Sequence, residues 1–344
     1  MTDTAPASLR RGSDFAELSR VIRQRGLLQR RHASYIVKFA VNAALMALGW
    51  TAFAVLGASW WQLLTAVFFA GLSGQLAFIG HDAGHKQIFR GRRANDIVGY
   101  LHAGLVGLSY GWWVGKHNRH HANPNHEDHD PDINLALLAF SGQQAAGKRG
   151  FSRWTAKYQA FLFFPMLAFE GLGLHNSSIR AVLRHEVKVS PVEGALLAAH
   201  IVGYLTGVFA VLSPLQAIAF IAVHQGVWGI YMGCSFAPNH KGMPTLSAAD
   251  KTDYLRKQIL TSRNIRGGWL VDFLLGGLNY QIEHHLFPSM PRANLRHAQV
   301  LVREFCAARG IPYRQSGAFS SYAQVLRHLH GVGAPLRAGM PAPG

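Results

Sequence analysis

The sequence predicts an all-α integral membrane protein, with four transmembrane helices as two hairpins under a cytoplasmic helical cap that carries a di-metal site. Three observations predict it. The 344-residue chain is 49% hydrophobic and only 15% charged, well below the usual charged share of a soluble domain. Residues 39–80 and 194–239 contain no Asp, Glu, Lys or Arg. Each stretch is roughly twice the ~20 apolar residues that cross a bilayer, so each is expected to be a pair of spans. Finally, clustered histidines follow these stretches at metal-ligand spacing.

The elements follow in order. Residues 1–37 are polar and Arg-rich, with no cleavable signal pattern. The first spans are expected at about 39–57 and 61–80, joined by Gly57-Ala58-Ser59-Trp60, with Trp60 and Trp61 as interfacial anchors. The second pair is expected at about 194–212 and 215–235, joined around Ser213-Pro214. Neither turn carries Lys or Arg, so the positive-inside rule places both termini and the middle section in the cytoplasm. The apolar run 97–115 holds five glycines and His102, and is expected to be interfacial or re-entrant. The run 158–169 is too short to span and is expected to lie on the membrane, closed by Glu170.

A short apolar segment, 267–277, leads to Asn279-Tyr280. Pro291 then opens an amphipathic helix to about Ala308, ended by Gly310, with Leu295, Leu301, Val302 and Phe305 on one side. The Gly-, Ala- and Pro-rich residues 331–344 suggest a disordered tail. Residues 38–310 thus form the membrane domain, flanked by a basic segment, 1–37, and a C-terminal segment, 311–344. Cys234 and Cys306 offer no disulfide framework and are expected as free thiols. Lys and Arg outnumber Asp and Glu 34 to 17. Such a basic balance points to anionic lipid rather than nucleic acid, because no nucleic-acid motif accompanies it.

The histidines carry the chemistry. His81-Asp82-Ala83-Gly84-His85 follows the second span with two imidazoles at i,i+4. His117-Asn118-Arg119-His120-His121 puts His117 and His121 on one helix face, with His120 one turn from His117. Gln281-Ile282-Glu283-His284-His285 follows the second hairpin, and His240 sits where the fourth span exits. With both hairpins crossing twice, all eight histidines emerge on one side. They are too many for one four-coordinate zinc, and two metals would use them.

These motifs resemble the three histidine boxes of the integral-membrane fatty acid desaturases, HxxxH, HxxHH and QxxHH, in that order and over about residues 35–310. The context from Gly277 to Pro288 is similar to the acyl-CoA and acyl-lipid branch with Gln at the head of the third box. The resemblance implies two iron ions, O2 as co-substrate, and insertion of a cis double bond into a fatty acyl chain. It implies His81, His85, His117, His120, His121, His284 and His285 as ligands, with His240 as the further ligand after the fourth span. Gln281 would be a ligand, or would hold a water or orient His285. Asp82 and Glu283 are candidates to accept the other ring N–H of a ligand, as are Asp130 and Asp132. Many members with this third box carry a fused cytochrome b5 marked by His-Pro-Gly-Gly, which does not occur here. The expected electron donor is therefore a separate ferredoxin- or flavin-type protein, steered by the basic surface. Arginines of the N-terminal segment could bind acyl-CoA phosphates instead of lipid.

Removing hydrogen from an unactivated methylene needs a redox-active metal, which zinc is not. A hydroxylase or ketolase on the same scaffold is the nearest alternative. A zinc hydrolase would need only three protein ligands. A metal transporter would place ionisable groups across the bilayer depth, where this chain has no Asp, Glu, Lys or Arg. His200 and His224 lie inside expected spans with no second ligand at helical spacing, so helix-to-helix hydrogen bonding is their expected role. His126 and His129 are expected in a loop, His175 needs no role, and Trp112 and Trp113 could anchor at the interface or line an acyl channel.

Overall fold

The computed structural model describes residues 13–339; the start of the basic segment and the last residues of the expected tail lie outside the described residues. Helix α1 (Asp14–Gln24) is capped by the Ser13 hydroxyl and buries Leu18 and Ile22, an i,i+4 pair, against the cap. Among the described residues, four helices are long and apolar enough to cross a membrane: α2 (His32–Leu56), α3 (Gln62–Gly84), and, further on, Ser190–Val211 and Pro214–His240. The four expected spans match them to within one residue at the hairpin turns. The second and fourth of these helices overrun the expected spans at their C-terminal ends, and the overruns carry His81 and His240. The α2–α3 turn is closed by the Gln62 amide, which donates to the carbonyls of Phe53 (2.6 Å) and Gly57 (2.9 Å).

The apolar run 97–115 is two helices, not one segment: α4 (Arg92–Val106) and α5 (Tyr110–Ala122). Gly107 breaks it at φ 72°, and Ser109 caps α5 by accepting from the Trp112 N–H at 3.2 Å. A Cβ on Gly107 would lie 2.6 Å from the His200 ring and 2.8 Å from that of His175. Gly107→Ala is therefore expected to cost about 1–3 kcal/mol from backbone strain alone, seen as a lower thermal midpoint in detergent. An unchanged midpoint would show that this break tolerates a side chain.

After α6 (Gly142–Gly147), α7 (Gly150–Leu167) contains most of the expected surface helix, but Glu170 opens α8 (Glu170–Leu183) rather than closing α7. α9 (Ser190–Val211) and α10 (Pro214–His240) meet at Ser213, which forms a capping box with Gln216. α10 packs along α3, where Gly74 leaves room for the Tyr231 ring. Next come α11 (Tyr254–Leu260), strand β1 (Asn264–Arg266), α12 (Trp269–Leu274), α13 (Gln281–Leu286) and α14 (Arg292–Ala308). α14 is the expected amphipathic helix, burying Leu295, Val302 and Phe305.

Two further features depart from expectation. Strand β2 (Gln315–Gly317) pairs in parallel with β1 and ties the C-terminal segment to the chain just before the third box. Three-residue strands have no sequence signature. Helix α15 (Ala318–Arg337) takes in the first half of the expected disordered tail, residues 331–337. A Cβ on Gly333 would lie within 2.8 Å of the Ala156 carbonyl, and Leu336 is buried. The small residues serve close packing of α15 on α7 instead of disorder. Cys234 and Cys306 are both free thiols.

Candidate metal centre

Four elements bring the histidines together. The last turn of α3 presents His81, and His85 follows at its C-cap. α5 presents His117, His120 and His121, α10 ends on His240, and α13 presents His284 and His285. α13 is buried along its whole length, because Ile282 and Leu286 rest on the apolar bed formed by α1, α11 and α14.

The rings fall into two groups. The ligand atoms of His81, His85, His117 and His284 lie within 4.8 Å of one another, as do those of His120, His240 and His285. His121 stands between them. Its Nε2 is 3.1 Å from Nε2 of His117 and 3.1 Å from Nε2 of His284, while its ring stacks on His285 at 4.2 Å. One helix thus serves both groups, since the 100° between successive residues turns His117 and His120 to different sides of the seam.

Hydrogen bonds to Nδ1 turn Nε2 inward. His120 Nδ1 donates to both Asp130 oxygens at 3.0 Å, and His240 Nδ1 to the Thr261 carbonyl at 3.0 Å. His285 Nδ1 donates to the Gln258 side-chain oxygen at 2.9 Å, and His81 Nδ1 faces Asp82 at 3.3 Å. Nε2 of His81, His85 and His285 is buried without a hydrogen-bond partner. Leaving a buried acceptor unsatisfied costs about 1–3 kcal/mol, so three such nitrogens in one place, beside imidazole pairs at 3.1–3.3 Å, are what a bound cation would compensate. Burial, reinforced by neighbouring imidazoles, lowers His85, His117, His121, His284 and His285 well below the usual imidazole value. Neutral imidazole is the ligand form.

The acidic candidates divide. Asp82 also binds Arg292, and Asp130 accepts from the Asn125 N–H at 2.7 Å besides His120. Burial acts to raise Asp130, but the hydrogen bond and charge of His120 outweigh it and hold the carboxyl below its usual value. Asp132 lies 3.5 Å from His120 and pairs with Lys116. Glu283 accepts instead from Asn264 (2.7 Å) and the Tyr313 hydroxyl (2.8 Å), and burial pushes it up to about 7. Its bonds go to the β1 side of the cap, not to a ligand ring. Gln281 Nε2 is 2.8 Å from His240 Nε2, so the amide neighbours His240 and not His285. Gln258 and Thr261 take the orienting role at His285 and His240, and nothing in their local sequence marks them.

The other histidines lie apart. His126 and His129 stack on each other in the loop after α5 at 4.5 Å. His224 bonds the Tyr204 hydroxyl at 2.8 Å, and His175 bridges the Gly107 carbonyl (2.7 Å) and Gln225 (3.1 Å), which makes it part of the α4–α5 break. Trp113 stacks on His117 at 4.5 Å. It also lines a largely apolar cavity of ≈ 210 Å³ that reaches His81, His117, His120 and His240.

A model of the fatty acid desaturase family matches residues 58–317. The chain is 32% identical over 339 residues to the Delta(6)-fatty-acid desaturase fat-3 of Caenorhabditis elegans, covering 94% of this chain and 76% of that protein. It is 31% identical over 341 residues to the acyl-lipid (9-3)-desaturase of Physcomitrium patens, covering 93% of this chain and 62% of that one. A Delta 8-(E)-sphingolipid desaturase of Emericella nidulans is 30% identical over 348 residues, covering 94% and 62%. The chain therefore spans less than two thirds of the latter two relatives.

Proposed function

The chain belongs to the fatty acid desaturase family, and we propose that it is an O2-dependent di-iron desaturase that introduces a cis double bond into a fatty acyl chain. The observation that carries this reading is the pair of buried imidazole groups, with unsatisfied Nε2 atoms, opening on an apolar cavity. His81, His85, His117 and His284 would hold one ion, and His120, His240 and His285 the other, with His121 between them. Bound there with O2, iron would supply the oxidising power that an unactivated methylene demands.

The protein's own part is positioning. Asp82, Asp130, Gln258 and the Thr261 carbonyl hold Nδ1 protons, so the corresponding Nε2 lone pairs face inward. The buried rings and the apolar walls keep water from the reacting carbon. The substrate is a fatty acyl group carried as acyl-CoA or acyl-lipid; the relatives named for acyl-lipid and sphingolipid substrates support a lipid carrier. Electrons come from a separate acidic donor of ferredoxin or flavin type, steered by the net charge of +17. The protein is multi-pass, with termini and site on the cytoplasmic side, and 38–310 is its membrane domain.

Expression in a host of defined lipid composition tests the reading. Acyl chains that lose two hydrogens support it, and chains that gain oxygen point to a hydroxylase. Zinc without iron in an active preparation would sink it. Asp130→Ala should lower bound iron and product together by about 10–100-fold, the usual loss when a group orienting a metal ligand is removed. Wild-type iron content in that variant would separate Asp130 from the site.

A further inference from the structure

The cavity beside the histidines changes character along its length. On α10 its wall runs through Trp228, Met232 and Phe236 to His240 and then Lys241, and on α3 it runs through Ala77 and Phe78 to His81. The apolar side is long: Trp228 precedes His240 by twelve residues, ~18 Å of helix. The polar side is short. Lys116, Asp132, Glu170 and Lys241 line the same cavity, with Lys241 directly following His240 and Asp132 lying 3.5 Å from His120.

These four side chains carry no formal net charge together, and they are unevenly satisfied. Lys116 pairs with Asp132. The Lys241 ammonium donates to the Asp132 backbone carbonyl at 2.9 Å and sits 4.4 Å from the centre of the Phe140 ring. An ammonium has three N–H donors, so Lys241 keeps donors to offer into the cavity. Few, well-placed polar groups at one end of an apolar cavity fix the orientation of a ligand. A donor in a charge-balanced surrounding suits a neutral carbonyl better than a phosphate.

Resting on the desaturase reading, we propose that Lys241 holds the carbonyl oxygen of the acyl group at the charged end of the cavity. The chain then lies methyl end inward, past His120 and His240, and the double bond enters its carboxyl-side half. Lys241 is a positioning residue: it touches the substrate's head and selects the carbon that reaches the histidines. The carbonyl is common to a phospholipid ester and a CoA thioester, so both sources are tested.

The test compares the full-length wild type with Lys241→Met and Lys241→Arg in host membranes, and purified with reductant on acyl-CoA or phospholipid vesicles. Product amount, double-bond position and iron content are read for each. The wild type should place one double bond in the carboxyl-side half, from whichever source it accepts. Lys241→Met should lose about a hundredfold in product, as a small misplacement does, and scatter the remainder over neighbouring positions at unchanged iron content. Lys241→Arg should keep the position. A double bond in the methyl half overturns the proposal, as does a Lys241→Met variant with wild-type amount and position, or one that loses iron with product. Oxygenated products would instead defeat the desaturase reading, and the position of the inserted oxygen would then judge Lys241 by the same comparison.

Discussion

Replacing His120 by alanine is expected to abolish desaturated product while leaving membrane insertion and the helical fold intact. The loss should exceed the 10–100-fold typical of residues that only orient a ligand. His120 contributes where several parts of the site meet: its Nε2 lies 3.3 Å from that of His240, its ring 5.1 Å from that of His285, and its Nδ1 is held by Asp130. It is the α5 imidazole grouped with His240 and His285, while His121 stacks on the His285 ring at 4.2 Å. Membrane-fraction blotting, circular dichroism and fatty acid analysis check the prediction. Retained product at a tenth of wild type or more would remove His120 from the ligand set.

Arg292→Ala should be the most destabilising single change outside the histidines. Arg292 projects from α14 to the end of α3, where Nε donates to Asp82 Oδ2 at 2.9 Å and Nη2 lies 2.6 Å from the same oxygen. Nη2 also donates to the Phe78 carbonyl at 2.9 Å. Asp82 is 1% exposed. Without the guanidinium its carboxylate stays buried with only the Tyr35 hydroxyl, at 3.1 Å, and His81 as partners. Orphaning a buried charge in this way costs about 3–5 kcal/mol. Because Asp82 also faces His81 Nδ1, iron content should fall with the unfolding midpoint. Arg292→Lys should recover only part of the loss, since an ammonium cannot reproduce the fork that spans Asp82 and the Phe78 carbonyl. A wild-type midpoint in Arg292→Ala would show that this pair contributes nothing to holding the cap on α3.

The two variants probe what was legible in different ways. His120 stands out in the sequence because its neighbours His117 and His121 are at ligand spacing. Arg292 does not, because its partner is 210 positions away and no local pattern links them. Glu283 shows the opposite error of proximity. It sits next to two of the clustered histidines in the chain, yet its carboxylate bonds Asn264 and Tyr313. On α13 successive residues point about 100° apart, which turns Glu283 toward β1 while His284 and His285 face the two imidazole groups. Composition misled at residues 331–337, where Gly and Pro suggested disorder. Those small residues let α15 approach α7 until backbone meets backbone.

By itself the sequence determined the four membrane-length helices, the three histidine boxes with His240, and the amphipathic α14. Each of these follows from local quantities, namely the length of a charge-free run, ligand spacing on a helix, and apolar periodicity. Tertiary structure alone decided how the eight imidazoles divide between two groups, and which atoms hold their Nδ1 protons. It also decided that a charged end of the cavity lies one residue beyond His240. Those outcomes depend on how helices distant in the chain pack and rotate against one another, and a single hydrogen bond such as Gln258 to His285 exists only once that packing has formed.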